Sequence, residues 1–535
     1  MFKLAGSVDP VEVSKTVPSS SMNSGDSEPQ RSHTLKHVNH KLIESESECM
    51  QKCSWEKGSR TLKYTRFEER LHKVSMWVSV VGGGFAGLLA AITALQHSEV
   101  VRVLIVEKES RLGGNSAKAS SGMNAVHDAV GDSVDAFVRD TMRGSDHTGS
   151  ETLVSFMAEH SAESKAILES LGISLDMYSQ CGGHSFPRTW RNYGPGNVGW
   201  YIMKTLEDYL KTFGDRVSIC TECTLSGLRI VDGRCHGIEY LKDQELVSFD
   251  SDAVILATGG FSSNVFQVAL QFDAEIDPRL RSLPTTNGDF ARGDGLFIAQ
   301  KNEIDVIDID KIQVHPTAFV DPHDVESTAK ILAAESLRAY GAILIDSSGK
   351  RFVNELERRD KVFEQIDIHK STEPSRHVWM LLGPRGKEKF GPGFSFYEKK
   401  GLFKLFPSFD EFSRTAPIPV DQLSETILNY NLAASGEKPD EFGKKIFPES
   451  FIYDGPVYVA MVTPAIHYTM GGIRIDEQAR VYSTTGTIIP GLFAAGEVTG
   501  GIHGKNRLAG NSLLECAVYG RVAALNALDY ATRTI

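Results

Sequence analysis

Residues 77–81 (Trp-Val-Ser-Val-Val) form an uncharged, mostly apolar run that ends in glycines. A strand buried on both faces of a parallel sheet reads this way. Residues 85–96, rich in Ala and Leu, predict a helix, and residues 101–106 predict a second buried strand. The stretch 77–107 therefore predicts one βαβ unit. Further strands are expected at 253–257 and 491–495, each leading into glycines, and helices at 150–170, 199–213 and 512–530. This alternation predicts an α/β fold with a Rossmann-like nucleotide-binding core. Between about 311 and 466 the pattern turns more polar and mixed, and a core-like strand with glycines returns afterwards. An inserted α+β domain is expected there. The expected division is a flexible N-terminal extension over 1–75, a first core segment over 76–310, the insert over 311–466, and a second core segment over 467–535.

Residues 78–95 carry no charge and reach about the minimum length of a membrane span. Four glycines in a phosphate-loop pattern argue instead for a buried strand, loop and helix. The first 75 residues are rich in Ser, Lys, Glu and His and lack a secretory apolar stretch. A short helix near 60–73 is the most that is expected of them. His33, His37 and His40, with Cys49 and Cys53 nearby, match no closed zinc spacing, so no metal is expected.

Composition narrows the picture. The chain has 535 residues, 41% hydrophobic and 24% charged, ample for a large core. With 57 basic against 69 acidic residues the net charge is −12, which disfavours nucleic acid as a partner. Glycines recur as pairs, at 113–114, 182–183, 259–260, 471–472 and 500–501, a pattern suited to backbone lying close to a large ligand. Seven scattered cysteines do not make a disulfide scaffold, and a reducing compartment is expected. Cys220-x-x-Cys223 is a lone pair, expected to be a chance neighbour in or near a strand.

Gly82-Gly-Gly84-Phe-Ala-Gly87 fits G-x-G-x-x-G, after a strand and at the opening of a helix. Gly82 permits the turn, Gly84 admits a pyrophosphate to the helix N-terminus, and Gly87 lets helix and strand pack closely. Glu107 ends the second strand, where a carboxylate accepts from ribose hydroxyls. Two more strand-to-glycine sites, Ala257-Thr258-Gly259-Gly260 and residues 491–497, point to a long dinucleotide, FAD rather than NAD.

Seven motifs then occur in order: Gly113-Gly-Asn-Ser116, Gln313-Val-His-Pro-Thr317, Ala334-Glu-Ser-Leu-Arg338, Arg351-Phe-Val-Asn-Glu355 with Arg359-Asp360, His467-Tyr-Thr-Met-Gly-Gly472, Gly496-Glu-Val-Thr-Gly-Gly501, and Asn506-Arg-Leu-Ala-Gly-Asn511. Together they resemble the flavoprotein of the fumarate reductase/succinate dehydrogenase family, most of all its soluble yeast and kinetoplastid fumarate reductases. The resemblance covers roughly residues 77–530. It implies a FAD domain in two segments, a mobile capping domain between them, and an active site at their interface. It implies cofactor contacts at Gly82, Gly84, Ala86, Gly87, Glu107, Lys108, Gly114, Asn115, Ser116, Gly122, Thr258, Gly259, Gly260, Asp294, Glu497, Ser512 and Leu513. The respiratory branch carries a FAD-linking His where this chain has Asn115, and no His lies between Arg111 and Asn124. Non-covalent FAD is expected.

The resemblance further implies that His315, His467 and Arg507 hold the carboxylates of fumarate, that Arg359 is the proton donor, and that Glu335 and Arg338 reprotonate it. The i, i+3 spacing of that last pair puts both on one face of a helix. Ala334, Ala339 and Glu357-Arg358 depart from common family residues, and the doubled Arg leaves Arg358 as a rival acid. Two alternatives stay open: another unsaturated substrate such as urocanate or a ketosteroid, and a catalytically silent flavin-binding protein. No C-x-x-C-H haem site occurs and no reductase module is expected after the last helix. Electrons are expected from a diffusible reduced flavin or a separate reductase. The compartment stays open, cytosol or an organelle.

Overall fold

The computed structural model describes residues 76–534, apart from residue 195 and residues 373–376. The expected extension over 1–75, with its short helix and its His and Cys residues, lies outside the described residues.

The elements that build the site are, in chain order, β1 (Met76–Val81), α1 (Phe85–His97), β2 (Val101–Val106), β3 (Val217–Cys220), β4 (Cys223–Val231), β5 (Ala253–Leu256), β6 (Ile312–Phe319), α2 (Glu335–Ala339), α3 (Arg359–Thr372), β7 (Val457–Thr469), β8 (Ile488–Ala494) and α4 (Asn511–Thr534). The uncharged stretch 78–95 is strand, loop and helix, and no described helix is long and apolar enough to cross a membrane. Instead α1 is buried all round from Phe85 to Leu95, packed on the sheet and on α4, which explains its lack of a polar face. The expected helix over 150–170 is two, Glu151–Glu159 and Ser161–Ser170, broken at His160.

The first sheet runs Arg480–Tyr482, β8, β5, β1, β2, β3. All its pairings are parallel except the one with Arg480–Tyr482. Val80 sits at its centre, between Ile255 and Ile105. Strands buried this deeply need the Val- and Ile-rich sequence they have. Two glycines fix the β1–α1 turn. Gly82 has φ +110°, and a Cβ there would sit 2.1 Å from the Ala257 oxygen. A Cβ on Gly87 would sit 2.0 Å from the Gly82 oxygen, so only glycine allows the helix to pack this close.

The second sheet is antiparallel, with β6 and β7 flanked by Ile331–Leu332 on one side and Val378–Leu382 and Ile343–Ile345 on the other. Its strands contribute to two further cores, one around Leu337, Phe394 and Tyr397, the other around Ile343, Phe409 and Tyr430, while Val314 of β6 and Ile466 of β7 join the core around the parallel sheet. The large core around the parallel sheet is separate from both. The long strand β7 carries the chain from the antiparallel sheet to the glycine pair Gly471–Gly472.

The expectation for Cys220 and Cys223 needs correction. They join the end of β3 to the start of β4 through a disulfide, so the pair is more than a chance neighbour. A bond spanning only two intervening residues is still no scaffold. Cys181, Cys235 and Cys516 are free and buried.

Candidate active site

A cleft opens at the carboxyl ends of the parallel strands. Clefts at such strand ends are where α/β sheets bind ligands. Gly82, Gly84, Ala86, Glu107, Lys108, Gly114, Asn115, Ser116, Gly122, Thr258, Gly259, Gly260, Glu497, Ser512 and Leu513 all line it. The first turns of two helices, α1 and α4, therefore face the same space. Unpaired N–H groups and the positive end of the helix dipole suit each for phosphate. The Thr258 and Ser120 hydroxyls are buried in the cleft wall without a hydrogen-bond partner. A long cleft with two helix N-termini and orphaned hydroxyls fits a dinucleotide.

Some expected contacts serve the wall rather than the space. Gly87 packs α1 on its own strand. Asp294, at the start of helix Asp294–Lys301, pairs with Lys108, which does line the cleft. Glu107 already accepts from Gly83 N (2.7 Å) and Glu109 N (2.9 Å), so its carboxylate holds the glycine loop as well as facing the cleft.

At the far end of the cleft stand Arg359, His467 and Arg507. They come from three elements: the first residue of α3, the end of β7, and the loop before α4. His315 on β6 lies edge-on to His467, ring centroids 5.2 Å apart. The His467 Nδ1 is 2.7 Å from the Thr286 hydroxyl, and the His467 carbonyl accepts from Asn287 Nδ2 at 2.7 Å. The His315 Nδ1 is 2.8 Å from the Thr317 carbonyl, leaving Nε2 without a partner. The Arg507 guanidinium lies over the Tyr468 ring at 4.5 Å, and its backbone N–H donates to Gln313 Oε1 at 2.7 Å.

Arg359, Glu335 and Arg338 form one connected line. Arg359 Nε donates to Glu335 Oε2 at 2.6 Å. The other Glu335 oxygen accepts from Gly182 N at 2.8 Å. Arg338 Nη2 lies 3.5 Å from Glu335 Oε2, across one turn of α2. Its Nη1 donates to the Glu355 carbonyl at 2.5 Å. All three side chains are nearly inaccessible to water. Arg358 sits differently. It binds Asp146 and Asp360 at the rim, with 16% of its side chain exposed against 5% for Arg359. Glu357 is exposed, so its charge stays in water.

Charge states follow from burial. Desolvation, reinforced by nearby Arg359, pushes both His315 and His467 well below the usual imidazole range, so both rings are neutral. Burial would raise Glu335, but Arg359 and Arg338 bring it down to about 2. Burial and then Arg359 lower Arg507 to about 10, still a cation near neutrality. Burial lifts Glu497 to about 7. The positive charge of this end therefore rests on guanidinium groups, with the imidazoles as neutral hydrogen-bonding partners.

Several nitrogens remain without hydrogen bonds: His315 Nε2, Arg359 Nη1, Arg507 Nε, and Nε and Nη2 of Arg338. Leaving buried guanidinium donors unmet is costly, so Arg359 Nη1 and Arg507 Nε, both on residues that line the cleft, mark a place for an anion. Sequence reasoning missed Thr286, Asn287, Tyr468 and Gly182 as parts of the site. The polar run Thr285-Thr-Asn-Gly-Asp289 carried a usable signal for the first two, whereas Gly182 was noticed only as one of a glycine pair.

The FAD binding domain family matches residues 78–513. The chain is 37% identical over 465 residues to a fumarate reductase of Schizosaccharomyces pombe, covering 84% of this chain and 88% of that protein. It is 37% identical over 469 residues to fumarate reductase 1 of Saccharomyces cerevisiae, covering 84% and 97%. Among solved structures, the open conformation of a flavocytochrome c3 fumarate reductase superposes with a TM-score of 0.66 at 31% identity, over 90% of this chain and 83% of that one.

Proposed function

Since the chain belongs to the FAD-binding domain family of flavoproteins, we propose that it is a FAD-dependent fumarate reductase, forming succinate. The observation that carries this reading is that Arg359 and Arg507, each with a guanidinium nitrogen lacking a hydrogen-bond partner, line the cofactor cleft together with His467, with His315 edge-on behind it. Fumarate is a small dianion with a carboxylate at each end. Arg507 and the two imidazoles hold those carboxylates out of water, where guanidinium–carboxylate contacts are strongest.

Gly82, Gly84, Glu107, Asn115 and Glu497, which line the cleft, would hold FAD, and the reduced cofactor would supply a hydride to one alkene carbon. Charge then develops on the adjacent carbon and its carboxylate. Fixed guanidinium groups stabilise that charge without rearranging. The second carbon takes a proton from Arg359. An Arg acid is unusual, because guanidinium keeps its proton to above about pH 12. Here a carbanion is the stronger base, and Arg338 and Arg507 add positive charge nearby. Glu335 touches Arg359 Nε and lies against Arg338, so it is placed to return the proton. The rim pairing of Arg358 favours Arg359 as the acid.

The finer points of the reading are these. Residues 311–466 form a cap whose closure dries the site. FAD is bound without a covalent link, because Asn115 stands in the cleft where a His would be needed. Electrons arrive from a diffusible reduced flavin or a separate reductase. The test is anaerobic oxidation of reduced viologen by the flavin-loaded protein, with fumarate, urocanate and a 3-ketosteroid offered in parallel. Turnover with fumarate alone is expected. Bound flavin with no fumarate turnover would overturn the reading. Acid precipitation is expected to release all the flavin into the supernatant, and yellow pellet would refute the non-covalent link.

A further inference from the structure

We propose that Cys220 and Cys223 form a redox site, a dithiol/disulfide pair whose state governs how tightly the protein retains FAD. The proposal rests on FAD occupying the cleft at Glu107, and it adds a chemistry that the fumarate site does not use. The pair closes the turn between β3 and β4 through a disulfide. Cys-x-x-Cys is the spacing of readily exchanged pairs. Cys223 is buried, but Cys220 is partly exposed at the last strand of the parallel sheet, which gives an external thiol a way in.

The turn is stitched to the cofactor-facing segment by three backbone hydrogen bonds. Glu107 N donates to the Cys220 carbonyl (2.8 Å), Cys223 N to the Glu107 carbonyl (2.9 Å), and Glu222 N to the Glu109 carbonyl (3.1 Å). Both cysteines thus grip the backbone of the residue whose carboxylate holds Gly83 N and lines the cleft. Between them Glu222 is held at φ +57°, the left-handed region that favours glycine. The covalent tie keeps that unfavourable turn closed. Cutting it lets Glu222 relax and loosens the strand-end backbone that presents Glu107 and Lys108.

The step is thiol–disulfide exchange with a dithiol reductant. A thiolate of the reductant attacks the Cys220 sulfur, the Cys220–Cys223 bond breaks, and Cys223 leaves as a thiolate that takes a proton. The reductant's second thiol then resolves the mixed disulfide. The protein gains two electrons and two protons, and the reductant becomes a disulfide.

The full-length, FAD-loaded protein would be compared oxidised and after anaerobic dithiothreitol in the dark. Mass spectrometry of alkylated peptides reads the state of the pair, and fluorescence of released flavin after dilution reads FAD dissociation. We expect the pair to become alkylated and FAD to leave about tenfold faster. The variant Cys220→Ser/Cys223→Ser is expected to release FAD at the reduced rate with or without dithiothreitol. Alkylation of the pair with no change in FAD release would overturn the proposal. So would a double-serine variant that responds to dithiothreitol as the wild type does, or a pair that never takes the disulfide form. Viologen-driven fumarate turnover separates the two readings: full turnover with redox-insensitive FAD release sinks the thiol site alone, while flavin loss without a fumarate response in either state sinks the site assignment.

Discussion

Two groups of buried charges lie on either side of Arg338, and they are built by opposite rules. In one, Glu355 accepts from both Arg351 and Lys444, and Arg351 reaches on to Asp440. Two cations meet two carboxylates, and the Lys444 and Glu355 side chains are wholly buried. In the other, Arg338 and Arg359 share Glu335, Arg507 stands nearby, and nitrogens are left over. The first group is complete without any partner. The second is completed only by something negative that comes from outside. Saturation thus separates a brace from a binding site, although residue type and burial alone look the same in both.

The largest effect should come from Arg359→Ala. Loss of a general acid costs about a hundred- to ten-thousandfold, and we expect at least about a thousandfold loss of fumarate turnover with FAD still bound. Stopped-flow or viologen assays read this directly. The brace should answer in stability instead. Lys444→Met leaves a buried carboxylate half-met, a change that costs about 3–5 kcal/mol. Urea unfolding should show that loss, while turnover per flavin-loaded molecule stays within about tenfold of wild type. A large kcat defect in Lys444→Met at full flavin occupancy would erase the distinction.

The two groups should also carry opposite pH signatures. Burial would raise Glu355, but Lys444 and Arg351 hold it at about 2, below its ordinary 4.5. Its contribution to stability is therefore present above about pH 4.5 and is lost as pH falls towards 2. In the cleft, burial raises Glu497 to about 7. The folded apoprotein holds that proton, so this contribution is full below about pH 4.5 and is lost as pH rises through 7. Urea midpoints across pH should show both limbs, and Glu497→Gln should flatten only the upper one. The smallest effect belongs to Arg358→Ala. A rim ion pair contributes roughly 0–1 kcal/mol, so turnover should change less than about threefold. A collapse of activity there would reassign the acid.

Local patterns revealed much of this architecture and little of its wiring. The runs at 77–81 and 101–106 and the spacing of Gly82, Gly84 and Gly87 are contiguous signals, and each maps onto β1, β2 and the turn before α1. Arg338 and Glu335 were placeable because a helix turn brings i and i+3 together. Contacts between distant residues left no such trace. Lys108 meets Asp294 across 186 positions, and Gln313 holds Arg507 N across 194. Nor does a sequence show that His315 and His467 are neutral, since that depends on the water excluded around them. Cys220 and Cys223 were visible as a spacing, but their hold on Glu107 needed the fold.

The order of strands in the parallel sheet has a consequence for the protein's birth. β5 must wait for its partner β8, which leaves the ribosome roughly 230 residues later. At about 5–20 residues per second that is a delay of tens of seconds. α4, whose first turn completes the cleft, is translated later still. A nascent chain therefore exposes the apolar edge of β5 until β8 emerges, and FAD can be captured only after α4 has been made.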